Sequence, residues 1–400
     1  MNPREIRPGV HLVGAVDWDR RLFDSLIPLP QGTSYNAYVV AGSEKTALLD
    51  TVEPAHWETL RAQLSALPPI DYIVHHHGEQ DHSGSLPHVL DLYPDATVVT
   101  NEKCKTQLVD HLHVSPEAFQ TVSDGDTLAL GDKTLKFVFT PWVHWPETFC
   151  SYLEQDRILF SCDFFGSHLA TTEVYSRPAI VEGAAKRYYA EIMAPFAPQV
   201  AKDVDKVSAL QIDVIAPSHG PLHDRPQAMM DAYREWATAP PRNLVVMPYV
   251  TMHESTRVLV DALTNELADR GVSVERFDLT AVDIGELAMA LVDAATVVIG
   301  TPTVVRGPHP LAAYAAILAN SLRPKARWAG VIGSYGWGGR AAETLAGLMP
   351  DLKIDLLDPV LVKGLPRDED LTAIARLADA IAANHAGLAA GRPEQVLSRE

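Results

Sequence analysis

Cysteine is scarce in this sequence, and its basic residues do not cluster. The three cysteines, Cys104, Cys150 and Cys162, form no C-x-x-C pair. A disulfide framework, a zinc ribbon and a rubredoxin-type iron site are therefore unsupported, and each cysteine is expected to be a buried small hydrophobic residue. The formal charge is -18, from 33 Lys and Arg against 51 Asp and Glu. The sequence lacks the clusters of basic residues that neutralise phosphates, which argues against nucleic acid as a partner.

Long apolar runs are missing as well. No stretch of about 18 apolar residues is present to span a membrane, and the N-terminus lacks the apolar core of a signal peptide. The sequence therefore predicts a soluble, cytoplasmic protein. Its 400 residues are too many for one ordinary hydrophobic core and predict two domains.

The paired prolines at 240 and 241 mark the predicted boundary between domains 1–240 and 241–400, because they stop a helix that ends near Trp236. Short β-type runs dominate the first domain and predict layered α/β packing. Its predicted strands are 10–16, 35–40, 45–50, 70–74, 96–100, 135–140, 158–160 and 214–216, and its helix candidates include 55–67 and 84–92.

Strands and helices alternate in the second domain, which predicts a doubly wound parallel sheet of about five strands. The predicted strands are 244–247, 272–277, 296–299, 328–332 and 352–357. The predicted helices are 256–269, 310–321, 339–348 and 368–384.

A cluster of titratable side chains follows the apolar strand 70–74. His77, Glu79, Asp81 and His82 lie within six residues. If this segment is extended, alternate residues point the same way, so His77, Glu79 and Asp81 converge while His82 turns toward a second centre. A site for two metals fits this pattern better than a site for one, and the alternative is a solvated polar loop.

Three distant residues favour the metal site over the polar loop. His144, Asp163 and His219 each follow the C-terminal end of a predicted strand, where α/β proteins place their chemistry. We expect one metal to bind His77, Glu79 and His144, the other to bind Asp81, His82 and His219, and Asp163 to bridge both. His75 and His76 are expected to pack or to support ligands, whereas His168 is an open candidate for the substrate pocket.

The H-x-E-x-D-H segment, together with His144, Asp163 and His219, resembles the metallo-β-lactamase superfamily and specifically its flavodiiron proteins. The segments 32–38 and 144–148 are also similar to flavodiiron sequences. Hydrolases of the superfamily usually have His where this chain has Glu79. A carboxylate-rich site suits redox-active iron, whereas imidazole-rich sites suit zinc. The resemblance implies an αββα sandwich that holds two non-haem irons per chain.

Three loops at strand ends of the second domain form a candidate nucleotide crevice. The hydroxyls and the helix N-terminus in these loops suit a phosphate. The glycines and aromatic side chains suit a flat ring. The domain resembles flavodoxin, which implies FMN. The implied FMN residues are Thr251, Met252, His253, Glu254, Ser255, Thr256, Thr301, Pro302, Thr303, Val304, Ser334, Tyr335, Gly336, Trp337 and Gly338.

This chain departs from the family pattern at several of these positions. Glu254 stands where the family usually has Gly, and His253 where it has an aromatic residue. Val304 and Val305 replace an aromatic residue and Asn, and Asp24 takes the place of a His near the iron pocket. The departures in the second domain bear on FMN affinity and redox potential more than on the fold.

The resemblance implies an oxidoreductase that reduces dioxygen to water, nitric oxide to nitrous oxide, or both, with FMN relaying electrons. The donor is expected to be a separate molecule such as rubredoxin or a reduced deazaflavin. A head-to-tail homodimer, or a dimer of dimers, is implied. The alternatives are a zinc-dependent hydrolase of the metallo-β-lactamase fold and a non-catalytic flavin electron carrier or gas sensor.

Overall fold

The computed structural model describes residues 2–389, without the side chains of residues 178–180 and 389. The chain divides into two units, Met1–Tyr189 with Phe196–Thr238, and Ala190–Pro195 with Ala239–Glu400. The division between Thr238 and Ala239 lies close to the paired prolines at 240 and 241, and Ala190–Pro195 groups with the second unit. Residues 390–400 of the predicted second domain lie outside the described residues.

Two β-sheets form the centre of the first unit. A seven-stranded sheet has the order β1-β2-β5-β6-β7-β8-β9, and a five-stranded sheet runs from β10 to β14 in chain order. The strands are β1 Arg4–Arg7, β2 Val10–Asp17, β3 Leu22–Phe23, β4 Ile27–Pro28, β5 Thr33–Ala41, β6 Thr46–Leu49, β7 Tyr72–Val74, β8 Thr97–Thr100, β9 Phe119–Thr121, β10 Thr127–Ala129, β11 Thr134–Phe139, β12 Phe149–Leu153, β13 Ile158–Cys162 and β14 Val214–Pro217.

Side chains of both sheets meet in one apolar core. Leu12 and Tyr38 of the first sheet belong to the same buried cluster as Phe137 and Phe160 of the second, which is the arrangement of a sandwich. A second cluster packs the outer face of the larger sheet against α1, α3 and α4. The helices are α1 Trp57–Leu64, α2 Gln80–Ser83, α3 Leu86–Leu92, α4 Glu102–Leu112, α5 Pro178–Tyr188, α6 Ala197–Ser208 and α7 Pro226–Thr238.

A parallel sheet of order β16-β15-β17-β19-β20 forms the second unit, and β18 and β21 pair with its inner strands β17 and β19. All six residues of β15 are buried, as expected when helices cover both faces of a sheet. The strands are β15 Leu244–Tyr249, β16 Ser273–Asp278, β17 Thr296–Val304, β18 Gly307–Pro308, β19 Trp328–Tyr335, β20 Asp355–Leu356 and β21 Val360–Lys363. The helices are α8 Ser255–Asp269, α9 Ile284–Asp293, α10 Pro310–Leu322, α11 Ala341–Gly347 and α12 Asp368–Ala389.

The predicted fold class is confirmed, with two differences in the second unit. The predicted strand 352–357 is only β20, because the chain leaves the sheet and pairs again with β19 through β21. Helix α9 was not predicted. Most of its residues are buried, so it lacks the polar stripe that reveals a surface helix.

Candidate metal centre and flavin cleft

The proposed metal ligands of the first unit follow the C-terminal ends of strands. His77 follows β7, His144 follows β11, Asp163 follows β13 and His219 follows β14. Because β13 and β14 are parallel, Asp163 and His219 leave the smaller sheet at the same edge.

The expectation that residues 77–81 form an extended segment was wrong. The chain enters the short helix α2 at Gln80, with Glu79 as the residue that precedes its first turn. Successive residues of a helix are rotated by about 100° rather than alternating. Asp81 therefore does not join His77 and Glu79, and both Asp81 and His82 face His219.

One group of ligand atoms forms around Glu79. Nε2 of His77 lies 3.1 Å and Nε2 of His144 lies 3.2 Å from Oε2 of Glu79. The same two nitrogens lie 3.3 and 3.4 Å from Oδ2 of Asp163. Two imidazoles and two carboxylates thus converge, with one atom from each side chain within 4.8 Å of the others.

A second group forms around Asp81. Nε2 of His219 lies 3.1 Å from Oδ2 of Asp81, and Nε2 of His82 lies 3.4 Å from Oδ1. Oδ1 of Asp163 lies 3.1 Å from His82 and 3.3 Å from His219. Asp163 therefore presents one oxygen to each group, which is the position of a bridging carboxylate.

Several buried polar atoms at this site lack a hydrogen-bond partner among the described residues. Both carboxylate oxygens of Asp81 and of Asp163, and Nε2 of His82, are buried and have no hydrogen-bond partner of suitable geometry within residues 2–389. Unpaired buried polar atoms are costly. A pair of metal ions bound by these atoms would remove that cost, so the donor set fits the di-iron centre that the sequence predicts.

The carboxylates and imidazoles shift one another's pKa. Burial disfavours the charged form of His219, but the neighbouring carboxylates of Asp163 and Asp81 outweigh it and raise the pKa of His219 to about 10. Burial also opposes ionisation of Asp163, yet the charge of His82 and the nearby imidazoles of His144 and His219 lower the pKa of Asp163 well below its ordinary value. Metal ions must displace protons from these imidazoles, so metal binding should weaken as pH falls.

Two supporting contacts to the ligand histidines were not predicted. Nδ1 of His77 lies 2.7 Å from Oε1 of Glu147, and Nδ1 of His219 lies 2.7 Å from the backbone carbonyl of Ser34. Each contact leaves Nε2 as the nitrogen that faces the site. Glu147 stands three residues after His144, and that proximity was the available signal in the sequence.

Asp50 organises the two histidines that precede the ligands. Its carboxylate lies 3.0 Å from Nδ1 of His75 and 2.6 Å from Nδ1 of His76, and Nε2 of His76 lies 2.7 Å from the Ser151 hydroxyl. Both histidines are buried and stand outside the two ligand groups. They act as supporting residues at the end of β7.

Aromatic rings and His168 border the second group. The His168 and His219 rings lie 5.0 Å apart, and the Tyr35 and His219 rings 5.9 Å. Burial and the neighbouring charge of His219 lower the pKa of His168 well below its ordinary value, so this imidazole is neutral.

The two tryptophans differ in their surroundings. Trp145 packs 4.9 Å from the His77 ring of the first group, whereas Trp18 is half exposed.

Asp24 lies beside the first group. Desolvation and the charges of Glu79 and Asp81 raise the pKa of Asp24 to about 6. Its backbone is left-handed, with φ of 48°. Asp24, which stands where the family often has His, therefore lies next to Glu79.

A cleft of about 200 Å³ opens at the strand ends of the second unit. The hydroxyls of Thr251 and Thr256 are buried and have no partner in the described part of the chain. They lie beside the N-terminus of α8, where a phosphate finds backbone N–H groups and a favourable dipole. The residues that line the cleft are Thr251, Met252, His253, Ser255, Thr256, Pro302, Thr303, Ser334, Tyr335, Gly336 and Gly364.

Five of the residues implied for FMN lie beside this cleft instead of lining it: Glu254, Thr301, Val304, Trp337 and Gly338. The Thr301 hydroxyl accepts a hydrogen bond from the His309 backbone, Trp337 is 74% exposed, and Glu254 pairs with Arg257 at 3.0 Å. Gly364 lines the cleft but was not predicted, because it follows a strand that the sequence did not reveal.

Relatives of known activity match nearly the whole chain. A rubredoxin-oxygen oxidoreductase of Megalodesulfovibrio gigas is 34% identical over 96% of this chain and 98% of its own. A nitric oxide reductase of Moorella thermoacetica is 33% identical over 95% and 98%. A coenzyme F420H2 oxidase of Methanothermobacter marburgensis is 34% identical over 92% and 95%. Residues 33–220 match a family model described as ODP family beta lactamase.

Solved structures agree with these relatives. Rubredoxin oxygen:oxidoreductase of Desulfovibrio gigas superposes with a TM-score of 0.93 at 31% identity, covering 98% of this chain and 100% of its own. The flavodiiron protein of Giardia intestinalis superposes with a TM-score of 0.88 at 27% identity, covering 96% and 98%.

The fold and the site define a metallo-β-lactamase-like metal domain followed by a flavodoxin-like domain. The chain belongs to the flavodiiron protein family. It is an oxidoreductase whose cofactors are FMN and a non-haem di-iron centre, and the predicted family, enzyme class and cofactors are confirmed. No helix among residues 2–389 is long and apolar enough to cross a membrane.

Proposed function

We propose that this chain reduces dioxygen to water, nitric oxide to nitrous oxide, or both, at iron ions held by residues of the 1–240 domain. The observation that carries the proposal is the position of Glu79, whose Oε2 faces the Nε2 atoms of His77 and His144. With Glu79 as a ligand of one metal, both metals have two imidazole and two carboxylate contacts. Oxygen donors of this kind suit iron better than zinc.

Seven side chains hold the metals in this proposal. His77, Glu79 and His144 bind one iron, Asp81, His82 and His219 bind the other, and Asp163 binds both. When bound, the two irons and the FMN of the 241–400 domain supply the four electrons that one dioxygen requires, or the two that a pair of nitric oxide molecules requires.

The surrounding side chains orient the ligands and exclude water. Glu147 and the Ser34 carbonyl fix the ring orientations of His77 and His219. Nδ1 of His168 lies 2.9 Å from the Thr33 hydroxyl, and its buried Nε2 has no partner among the described residues. We propose that this neutral imidazole lines the substrate pocket, and that Tyr35 and Phe23 keep bulk water from the ligand rings.

The electron donor in this proposal is a separate molecule. Relatives named after rubredoxin and after the deazaflavin coenzyme F420 support these two donor classes. We also propose a head-to-tail homodimer, or a dimer of dimers, and a cytoplasmic location. The three buried free thiols are compatible with a reducing compartment.

Metal analysis combined with turnover tests this function. The purified chain should contain about two irons and one FMN, and with one artificial electron donor it should consume dioxygen, nitric oxide or both repeatedly. The two rates rank the substrates. Colourless protein with zinc would indicate a hydrolase of the same fold, and a single reoxidation without turnover would indicate an electron carrier or gas sensor.

A further inference from the structure

Glu147 is a buried carboxylate that contacts one ligand histidine and lies outside the ligand set. It is 1% exposed, and its Oε1 lies 2.7 Å from Nδ1 of His77 and accepts a hydrogen bond from the Gly78 backbone at 3.2 Å. Its Oε2 accepts a hydrogen bond from Nε2 of Gln107 at 3.3 Å. The carboxylate is therefore held in one orientation, aimed at His77.

The backbone of Glu147 is also held in place. Its carbonyl accepts a hydrogen bond of 2.5 Å from Nδ2 of Asn101, and the Asn101 side chain accepts one from the Cys104 backbone at the start of α4. His144 precedes Glu147 by three residues in the same loop. Through its side chain and its backbone, Glu147 thus connects the loop of His144 to the loop of His77.

In the described part of the chain, the second ligand group has no equivalent of Glu147. Nδ1 of His219 faces a neutral carbonyl, that of Ser34. Within residues 2–389, the only carboxylates in ion-pair distance of His82 and His219 are those of Asp81 and Asp163, which are themselves proposed ligands. Direct contact between a ligand histidine and a carboxylate outside the ligand set is therefore observed on the His77 side of the site.

We propose that Glu147 is a positioning residue for one iron alone, the iron of His77, Glu79 and His144, and that it makes the two irons inequivalent. The inference rests on the ligand assignment of the proposed function. A carboxylate that accepts the Nδ1 proton of a ligand histidine fixes the ring and makes Nε2 a stronger donor. Its buried charge also favours the more positive state of the nearby metal, so this iron should hold the ferric state more strongly than its partner.

Two substitutions distinguish the positioning role of the Glu147 side chain from the effect of its negative charge. Glu147→Gln keeps the shape and an oxygen that accepts from His77, but removes the charge. Glu147→Ala removes both. Glu154→Gln changes an exposed carboxylate at the end of β12 and serves as the matched control.

The experiment loads each full-length protein with iron and FMN, challenges it with an iron chelator, and records Mössbauer and electron paramagnetic resonance spectra during stepwise oxidation. In wild type and Glu154→Gln we expect one iron to be oxidised before the other. In Glu147→Ala one iron should bind about 10–100-fold more weakly while the other is unchanged. In Glu147→Gln both irons should remain, but the two should be oxidised together.

The outcomes are distinct. Equal weakening of both irons in Glu147→Ala, or separate oxidation of the two irons in Glu147→Gln as in wild type, would overturn the inference. If Glu147→Ala does not fold, the oxidation order in Glu147→Gln still decides. A wild-type protein that binds zinc instead of iron would contradict the proposed function itself, which is a different failure.

Discussion

Oδ1 of Asp163 lies 3.1 Å from Nε2 of His82, while the other oxygen of the same carboxylate faces His77 at 3.3 Å. Because both ligand groups share this carboxylate, substitution of Asp163 should affect iron binding more than substitution of any other proposed ligand. We expect Asp163→Ala to lose both irons and to retain FMN, because the flavin cleft lies in the other unit.

Asp81→Ala provides the comparison for Asp163→Ala. Within the described residues, the histidines in ion-pair distance of Asp81 are those of the second group, so this variant should lose one iron and keep the other. Iron and flavin content after purification measure both effects. Two tightly bound irons in Asp163→Ala would refute the bridging role.

The metal preference should depend on Glu79. Glu79→His replaces the carboxylate that faces His77 and His144 with a third imidazole, which suits zinc better than iron. In competition experiments the ratio of bound zinc to bound iron should rise by about an order of magnitude. Glu58→His is a suitable control, because Glu58 is an exposed carboxylate on α1 that belongs to neither ligand group. An unchanged ratio would remove the argument that this carboxylate selects iron.

FMN affinity should increase when Glu254 is replaced. Its backbone is left-handed, with φ of 66°, a conformation that costs a non-glycine residue about 1–2 kcal/mol. Its carboxylate lies beside the proposed phosphate site and pairs with Arg257. Glu254→Gly should therefore bind FMN about tenfold more tightly, as followed by quenching of flavin fluorescence.

Glu254→Gln distinguishes charge from backbone strain. It removes the carboxylate but keeps a side chain at the left-handed position. Riboflavin, which lacks the phosphate, serves as the second ligand. If charge dominates, Glu254→Gln should improve FMN binding and leave riboflavin binding unchanged. Equal gains for both flavins would show that the phosphate is not involved.

Stability should fall with rising pH because of Asp203. Burial raises the pKa of Asp203 to about 7, despite the nearby cations of Lys206 and Lys202. The folded chain therefore keeps a proton that the unfolded chain releases above its ordinary pKa, and stability is lost as pH rises from about 4 to about 7.

Asp203→Asn should abolish this loss, because Asn resembles the protonated acid. Relative to wild type, its free energy of unfolding should increase by about 1–3 kcal/mol between pH 5 and 8. Urea unfolding at several pH values measures the difference. Asp205→Asn, on the same helix and exposed, should show no such trend. A parallel pH dependence of wild type and Asp203→Asn would be evidence against the buried proton.

The sequence predicted that distant residues would lie together because each of them follows a strand. His144, Asp163 and His219 were proposed as ligands in this way, since strand ends in α/β proteins place side chains at a shared edge, and the structure brings the three side chains together. Local geometry was less predictable. Asp81 was expected in an extended segment, but α2 begins at Gln80 and turns Asp81 toward His219.

Supporting residues were missed because their roles depend on contacts far apart in the chain. Glu147 reaches His77 across 70 positions, and Thr33 reaches His168 across 135. The proximity of Glu147 to His144 marked this residue as a candidate, but it did not reveal the contact with His77. In the second unit, Gly364 was missed for the related reason that β21 is a short strand whose pairing with β19 is visible only in the sheet.

Analysis of the reduction products tests the central claim most directly. The iron- and FMN-loaded protein is fully reduced, separated from reductant, and mixed with measured amounts of dioxygen or nitric oxide. We expect water without hydrogen peroxide from dioxygen, or nitrous oxide from nitric oxide, and the loss of these products in Asp163→Ala. Zinc in place of iron, or the same release of hydrogen peroxide from wild type and Asp163→Ala, would contradict the assignment of this chain as a reductase that works at a di-iron site.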